Sequence, residues 1–326
     1  MRILIIRGGA VGDFVLTLPA VALLRKRWPN AHIECLGYPG IAVLGLKRYY
    51  FEAVRPIDYR PMAGFFIPGQ ALDGELRDYI ASFQLVVSYI YDPDQIFRKN
   101  LLRCGLNDAE EDPTLASQRW NGSPPLLLCE DPRVVDIAAT YHFAKPLRKL
   151  GFLENEILSP RLHLTEQDLR FAKERKGTSP DRLVAIHPGS GSESKNWPIK
   201  KWIELVGRIR EVEGLRVLIT SGEADQEELR ALRREFPGEL WIEDALSLDQ
   251  LAALLAQATL FLGHDSGPGH LAAAVGTPSI LIFGKTDPLI WAPRGNHVTV
   301  LYVRDNLELL DLEEVWAAIV TKLPLT

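Results

Sequence analysis

Two turns rich in glycine, serine and proline, each placed after a short apolar run, constrain the fold of this chain most strongly. One turn spans residues 187–198 and follows the run 183–186; the other spans 263–270 and follows the run 260–262. Each leads into a helix-like pattern, which places both turns at the carboxyl ends of strands and before helix N-termini. Free backbone N–H groups and the helix dipole favour an anion at such a place. Two of these turns in one half of the chain indicate a bound nucleotide diphosphate.

The rest of the chain alternates short apolar runs with amphipathic patterns, which is typical of a doubly wound α/β protein. Strands are predicted at residues 3–7, 32–36, 85–91, 126–129, 183–187, 216–220, 240–242, 260–262, 279–283 and 298–303. Helices are predicted at 14–28, 134–150, 166–176, 199–212, 226–236, 248–257 and 312–322. Both halves begin with a strand, a glycine-containing turn and a helix, so we predict two Rossmann-like domains facing each other across a deep cleft. Their expected boundaries are 1–160 and 161–310.

The composition limits the possible functions. A chain of 326 residues, of which 24% are charged, is long enough for two globular domains. The formal net charge of −5 argues against a general nucleic-acid-binding protein, so no nucleic acid is expected as a partner. The three cysteines have no metal-binding or redox spacing, which predicts reduced thiols in a cytoplasmic protein. No apolar run reaches the ~18 residues of a membrane span, so any membrane contact should be peripheral.

The turn at residues 7–13 follows the first predicted strand and opens a helix, as in a dinucleotide-binding fold. The spacing of Gly8, Gly9 and Gly12 does not match the G-x-G-x-x-G pattern, so no nicotinamide cofactor is predicted. Asp13 in the same turn has two interpretations. It is either a carboxylate that satisfies free N–H groups at the helix start or a general base that faces the cleft.

Three segments, in the right order and spread over nearly the whole chain, resemble a known family. They read Gly-Asp-Phe-Val-Leu-Thr-Leu-Pro from residue 12, Lys-Asn-Trp-Pro from residue 195 and Asp-Ser-Gly-Pro-Gly-His from residue 265. Together they resemble glycosyltransferase family 9, the ADP-heptose:lipopolysaccharide heptosyltransferases. The resemblance implies the GT-B fold and the inverting, metal-independent transfer of a heptose from the nucleotide sugar ADP-heptose to a lipopolysaccharide core. It also implies that a C-terminal helix, residues 311–323, packs back on the N-terminal domain.

The motifs of the family assign roles to residues of this sequence. Asp13 matches the proposed base, and Lys195 matches the lysine that neutralises the donor diphosphate. The implied donor site comprises Gly189, Ser190, Lys195, Glu223, Asp265, Ser266, Gly267 and His270. An isolated lysine at position 195 would be interpreted as a solvated loop residue, and its place in a Gly/Ser turn directly before Trp197-Pro198 favours the functional role. His270 either binds the phosphates or holds its own loop from inside. Beyond the nucleotide sugar, which is a substrate, no cofactor and no metal ligand are implied.

The acceptor is expected on the N-terminal domain, at Gly12, Asp92, Arg98 and Lys99. Asp92 and Asp94 form a D-x-D sequence, which binds a metal in a different glycosyltransferase fold; here we interpret it mainly as a cap for the helix that follows. Arg98 and Lys99 belong either to a solvated helix face or to a site for an anionic, lipid-linked glycan. Such an acceptor would bring the protein into peripheral contact with the cytoplasmic face of the inner membrane.

Two alternative functions stay open at the level of the sequence. The first is a related GT-B transferase that uses another nucleotide sugar. The second is a non-catalytic protein that keeps the fold and binds a nucleotide sugar. Asp13 argues against the second alternative, because a protein that only binds the donor needs no carboxylate on the acceptor side.

Overall fold

The computed structural model describes residues 1–111, 120–153, 155 and 159–323, and the chain divides into two compact units, Met1–Pro160 and Arg161–Thr326. Each unit contains one six-stranded sheet, and the strand pairs in both sheets are parallel. Parallel neighbours need long crossover connections, and helices supply most of them in both units. Both units are therefore α/β domains of the Rossmann type, as the sequence pattern predicted.

The first unit is built on the strands β1 (Arg2–Arg7), β2 (His32–Gly37), β3 (Ala53–Pro56), β4 (Leu85–Ser88), β5 (Asn107–Asp108) and β6 (Leu126–Cys129). Its helices are α1 (Val11–Arg27), α2 (Pro39–Ala42), α3 (Gly74–Ala81), α4 (Ile96–Leu102) and α5 (Ala139–Ala144). The strand order is β3-β2-β1-β4-β6-β5. The order changes direction between β1 and β4, so the turn after β1 lies where α/β sheets commonly bind ligands.

The second unit contains β7 (Arg182–His187), β8 (Leu215–Thr220), β9 (Trp241–Glu243), β10 (Leu260–His264), β11 (Ser279–Phe283) and β12 (Val298–Tyr302). Its helices are α6 (Glu166–Lys176), α7 (Ile199–Arg210), α8 (Gln226–Glu235), α9 (Leu248–Leu255), α10 (Gly267–Ala274), α11 (Pro288–Trp291) and α12 (Leu312–Lys322). The strand order is β12-β11-β10-β7-β8-β9, which changes direction between β7 and β10.

The apolar face of α7 shows how the sequence fixes the core of the second unit. Trp202, Leu205, Val206 and Ile209 are all completely buried, and their spacing puts them on one face of the helix. Burying a side chain of this size stabilises the fold by about 1.5–3 kcal/mol before the cost of ordering it is counted. These side chains belong to the same core cluster as strands β7, β8 and β10.

The last helix completes the second unit. Leu312, Val315, Ile319 and Leu323 are buried in the core cluster that contains the apolar face of α7. This face packs against α7, because its buried positions repeat at helical spacing. Packing of residues 311–323 on the N-terminal domain, which the resemblance implies, stays a prediction.

The helix predicted over 134–150 is much shorter in the structure. α5 ends at Ala144, and the chain continues as a 3-10 turn, Lys145–Leu150. Pro146 has no N–H to donate to the carbonyl of His142, so the α-helical bonding pattern cannot pass through it. By contrast, the helices predicted at 166–176 and 312–322 coincide with α6 and α12. Within the described residues, no helix combines the length and the apolar character that a bilayer span requires.

Candidate functional site

The two predicted anion-binding turns lie side by side in the second unit. β7 and β10 are paired in the sheet, and residues 188–196 follow β7 while residues 265–266 follow β10. The second turn opens directly into α10, as predicted. The first does not open directly into a helix, because a 3-10 turn, Glu193–Lys195, intervenes and α7 begins only at Ile199.

Hydrogen bonds inside the first turn fix its shape. The Ser190 hydroxyl lies within donating distance of two acceptors of the turn, Oδ1 of Asn196 at 2.6 Å and the carbonyl of Ser192 at 2.9 Å. The amide of Asn196 in turn donates to Glu228 on α8 over 2.7 Å. Ser190, which the resemblance assigns to the donor phosphates, therefore also closes the turn that would carry them.

Gly189 is required by the close approach of Asp225. A Cβ atom at position 189 would lie 1.9 Å from Oδ1 of Asp225, a distance that no side chain can occupy. Asp225 accepts from the backbone N–H of Gly222 at 2.8 Å and lies 3.1 Å from Nε2 of His187. Burial would raise the pKa of Asp225, but the neighbouring His187 and the backbone N–H groups bring it below its usual range. Asp225 thus joins the turn after β7 to the turn after β8.

His264, at the end of β10, braces the same turn from the other side. Its ring is completely buried; Nδ1 lies 3.1 Å from the Gly189 carbonyl, and Nε2 lies 2.7 Å from the backbone N of Trp197. Because the Trp197 N–H must donate, Nε2 accepts and Nδ1 carries the proton. Burial lowers the pKa of His264 to about 4, so the ring is neutral near pH 7. One histidine therefore fixes both ends of the turn.

Lys195 and Asp265 bring the two turns together. Nζ of Lys195 donates to Oδ2 of Asp265 over 2.9 Å, and the Thr286 hydroxyl donates to the same oxygen. Nε2 of His270 lies 3.7 Å from the other carboxylate oxygen. Burial would raise the pKa of Asp265, but His270, Thr286 and Lys195 hold it well below its usual range. The lysine is therefore not a solvated loop residue; it is anchored at the point where the two turns meet.

The start of α10 provides the second feature that suits an anion. In the described part of the chain no side chain caps this helix, whose N-cap residue is Ser266 and whose first residue is Gly267. A Cβ at Gly269 would lie 2.8 Å from the His264 carbonyl, so this glycine lets the helix approach β10 closely. His270 is buried, and its Nδ1 has no hydrogen-bond partner among the described residues. The uncapped N–H groups and the helix dipole can therefore stabilise negative charge.

Glu223, the remaining residue of the implied donor site, stands in a different environment. It is exposed in the 3-10 turn Glu223–Asp225, directly after β8. Since β8 is the neighbour of β7 in the sheet, this turn lies beside the turn that carries Gly189. All eight residues implied for the donor therefore follow three adjacent strands of one sheet.

Asp13 occupies the third position of α1 in the first unit, directly after Gly12. Its Oδ2 accepts from the backbone N–H of Ala10 over 3.3 Å, which is the helix-capping arrangement that one interpretation predicted. The side chain is 29% exposed and lines a pocket. Capping and exposure to the pocket are thus combined in one carboxylate, so the two interpretations do not exclude each other.

The pocket beside Asp13 has a volume of about 530 Å³ and lies entirely within the first unit. Its lining combines two glycines, four aromatic rings and four charged side chains with three other residues: Arg7, Gly8, Gly9, Asp13, Tyr38, Ile57, Asp58, Phe66, Tyr89, Ile90, Tyr91, Pro132 and Arg133. Concave sites of this size with a few polar groups among aromatic walls are typical of small-molecule binding.

Two of the residues proposed for an anionic acceptor, Asp92 and Arg98, have protein partners in the structure. Asp92 accepts from the backbone N–H groups of Phe97 and Arg98 at 3.1 and 2.8 Å, so it caps α4 as predicted. Arg98 forms an ion pair with the buried Asp108 at 2.6 Å. Lys99, in the same helix, is exposed. In the described chain, no group of three or more potential metal-ligating side chains surrounds the D-x-D sequence or any other point.

Sequence reasoning missed Arg7, Asp225 and Thr286, and it also missed the contacts by which His264 braces the turn after β7. Arg7 ends β1 and is almost completely buried. A charged residue at the end of a buried strand, directly before a glycine-containing turn, is the signal that could have drawn attention to it. Asp225 and Thr286 carry no such local signal, because their partners lie far away in the chain.

Comparison with known proteins identifies the family. The model of glycosyltransferase family 9 (heptosyltransferase) matches residues 110–315, which is more than half of the chain. The chain belongs to glycosyltransferase family 9. It is therefore an enzyme that transfers glycosyl groups, and the resemblance drawn from its motifs is confirmed.

Individual members of the family align with nearly the whole of this glycosyltransferase. It is 32% identical to lipopolysaccharide heptosyltransferase 3 of Escherichia coli K12 over 296 residues, covering 86% of this chain and 82% of that protein. It is 26% identical to lipopolysaccharide heptosyltransferase 1 of Salmonella typhimurium, covering 98% and 100%. The solved structure of ADP-heptose lipopolysaccharide heptosyltransferase II of E. coli superimposes with a TM-score of 0.75 at 17% identity, covering 99% of each chain. This likeness confirms the predicted GT-B fold.

Proposed function

We propose that this glycosyltransferase moves a heptose from ADP-heptose to a lipopolysaccharide core acceptor, with inversion and without a metal ion. The names of its relatives, lipopolysaccharide heptosyltransferases 1 and 3 and the ADP-heptose enzyme II, support this donor and this acceptor. The observation that carries the proposal is the junction in the second unit, where Lys195 meets Asp265 at 2.9 Å beside the uncapped start of α10.

The donor nucleotide sugar binds to the second unit in this proposal. Its diphosphate meets Lys195 and the N-terminus of α10, and its other contacts come from Gly189, Ser190, Glu223, Asp265, Ser266, Gly267 and His270. A lysine and oriented backbone N–H groups stabilise the charge that develops on a departing diphosphate. The residues present can thus supply what a divalent cation supplies in other transferases.

The acceptor binds to the first unit, in the pocket beside Asp13. Asp13 accepts the proton of the attacking acceptor hydroxyl while the hydroxyl oxygen forms a bond to the anomeric carbon of the donor. The bond from that carbon to the diphosphate breaks in the same step, and ADP leaves with the electron pair. One base and one displacement give inversion at the anomeric carbon. Gly12 and Asp92 lie on the segments beside this site, and Arg98 and Lys99 extend it toward anionic parts of the acceptor.

A lipid-linked acceptor implies that the enzyme works at the cytoplasmic face of the inner membrane. Tyr59, Phe66 and Ile67 are 50%, 44% and 48% exposed around a 3-10 turn that contains Arg60, and Phe66 also lines the pocket. We expect Tyr59→Ser and Ile67→Ser to reduce sedimentation with anionic phospholipid vesicles. The matched variant Leu309→Ser, at a 72% exposed leucine of the second unit, should sediment as the parent protein does.

One set of assays tests the proposed function. Thermal stabilisation by ADP-, GDP- and UDP-sugars is measured first, because a ligand at a hundred times its Kd raises the free energy of unfolding by about 2.7 kcal/mol. ADP-heptose should stabilise most. Transfer to a lipopolysaccharide core acceptor is then measured in excess EDTA. Stabilisation by a different nucleotide sugar alone, or activity that EDTA abolishes and Mg²⁺ restores, would contradict the proposal.

Two variants test the assigned residues. Asp13→Asn should keep donor binding and lower turnover by about 10²–10⁴, the range expected for loss of a general base. Lys195→Ala should weaken donor binding and slow transfer together, because its charge meets the diphosphate in both the ground state and the transition state. Lys200→Ala removes an exposed lysine of α7 as the matched control. Donor binding without any transfer in the parent protein would favour a non-catalytic binding function.

A further inference from the structure

Arg7 is an almost completely buried cation whose hydrogen-bonding groups are mostly unused. Its side chain is 2% exposed, and among the described residues neither Nε nor Nη2 has a hydrogen-bond partner. Nη1 lies 3.5 Å from the carbonyl of Tyr89, at the limit of a hydrogen bond. Burying polar groups without partners costs free energy. An apolar side chain of similar size would avoid this cost.

The position of the guanidinium is nevertheless well defined. It lies 4.5 Å from the ring centroid of Phe143 and 5.9 Å from that of Tyr89. The Tyr89 hydroxyl donates to the carbonyl of Phe143 over 2.6 Å, which holds the two rings together. From this position Nη2 lies 3.6 Å from Oδ1 of Asp13. The two aromatic rings therefore hold the guanidinium of Arg7 so that its positive charge faces the Asp13 carboxylate.

The charges of the pocket argue against Arg7 as a receptor for an acid group of the substrate. Asp13 and Asp58 both line the pocket with Arg7. The second arginine of the lining, Arg133, is already paired with Asp131 at 2.6 Å. An acid group beside Arg7 would be repelled by the Asp13 carboxylate, whereas a neutral hydroxyl can donate to that carboxylate. The pocket favours an uncharged polyol ring next to Asp13.

We propose that Arg7 is a positioning residue for the transfer reaction, which fixes the Asp13 carboxylate toward the acceptor hydroxyl and balances its charge. The inference rests on the proposed role of Asp13 as the base. Arg7 reaches Asp13 from the end of β1, whereas Asp13 is carried by α1, so the pair ties the start of the helix to the sheet. When the hydroxyl proton moves to Asp13, Arg7 stays protonated and takes no part in the transfer.

Kinetics of four variants test this role in the full-length chain: Arg7→Met, Arg7→Lys, Asp13→Asn and the double variant. We expect Arg7→Met to lower kcat about ten- to a hundred-fold, the effect of a misplaced reactive group, while the acceptor KM changes less than about threefold. Arg7→Lys should recover most of kcat, because it restores the charge. In the Asp13→Asn background, Arg7→Met should lower kcat by less than about a further threefold, because Arg7 acts on the reaction by positioning Asp13.

Arg27→Met is the matched control, because Arg27 also packs on aromatic rings of the first unit, those of Trp28 and Phe152. It should leave kcat unchanged. A raised acceptor KM with normal kcat in Arg7→Met would overturn the positioning role and assign Arg7 to an acid group of the acceptor. The role would also be overturned if Arg7→Met lowered kcat equally in the parent and in the Asp13→Asn background, or if Arg7→Lys did not restore kcat. Normal turnover in Asp13→Asn would refute the proposed base itself, whereas a slow Asp13→Asn beside a normal Arg7→Met refutes only the inference.

Discussion

The histidine that braces the turn after β7, His264, makes the stability of the second unit depend on pH. His264 must stay neutral to accept from the Trp197 N–H, and burial lowers its pKa to about 4 in the folded protein. In the unfolded chain a histidine titrates at about 6.5. Between these two values the unfolded chain binds more protons, so the free energy of unfolding falls as the pH falls through this window.

The size of the effect follows from the two pKa values. Between pH 7 and pH 4.5, a group with these values lowers the free energy of unfolding by about 2.4 kcal/mol. Asp225 and Asp265 face the same turn, and their pKa values are lowered in the fold. Such carboxylates contribute stability that is lost only as the pH falls below about 4. Between pH 7 and pH 4.5, protonation of His264 therefore lowers the free energy of unfolding more than protonation of these two carboxylates does.

Urea unfolding at pH 7 and pH 4.5, followed by tryptophan fluorescence, measures this loss. Trp197 and Trp202 report on the site, because the Trp202 ring centroid lies 5.5 Å from that of His264. In His264→Gln, whose amide has a donor and an acceptor but does not titrate, the loss between the two pH values should shrink by about 2 kcal/mol. His297→Gln, at a half-buried histidine of the same unit, is the control and should behave as the parent. If His264→Gln loses as much stability as the parent on acidification, the reasoning is refuted.

Two further predictions concern Gly189 in the second unit and Asp92 in the first. Gly189→Ala should weaken ADP binding at least tenfold in calorimetric titrations, because its Cβ would lie 1.9 Å from Oδ1 of Asp225, while Gly207→Ala, whose nearest neighbour is a ring atom at 3.8 Å, should bind as the parent does. Asp92→Ala should lower the melting temperature of the first unit by a few degrees, since losing a helix cap costs about 0.5–2 kcal/mol. Unchanged melting with a raised acceptor KM would instead assign Asp92 to the acceptor.

The fold could largely be predicted from the sequence because parallel strands that are buried on both faces consist of continuous apolar runs. β1, β7, β10 and β11 each read that way, and the prediction placed all four. β3 and β5 were missed. β3 consists of Ala-Val-Arg-Pro and β5 of Asn-Asp, and both lie at an edge of the sheet, where little apolar surface is buried.

The site could be predicted only where its chemistry is carried by a continuous motif. Lys195 and Asp265 stand in such motifs, and the structure brings them within 2.9 Å. The supporting contacts are different in kind. His264 reaches Gly189 across 75 positions, and Arg7 lies against Phe143, which is also far away in the chain. No local window contains these pairs, since they exist only after the strands have assembled.

The ion pair between Lys195 and Asp265 gives the protein an internal counter-ion. In the proposed donor site, a diphosphate that binds Lys195 would displace the Asp265 carboxylate or share the lysine with it. Its binding free energy would then be the difference between two ion pairs and not the full attraction of an isolated cation. Such an exchange would limit how tightly the nucleotide is held. After transfer, Asp265 would be in place to pair with Lys195 again, which would favour release of the nucleotide product at each turnover.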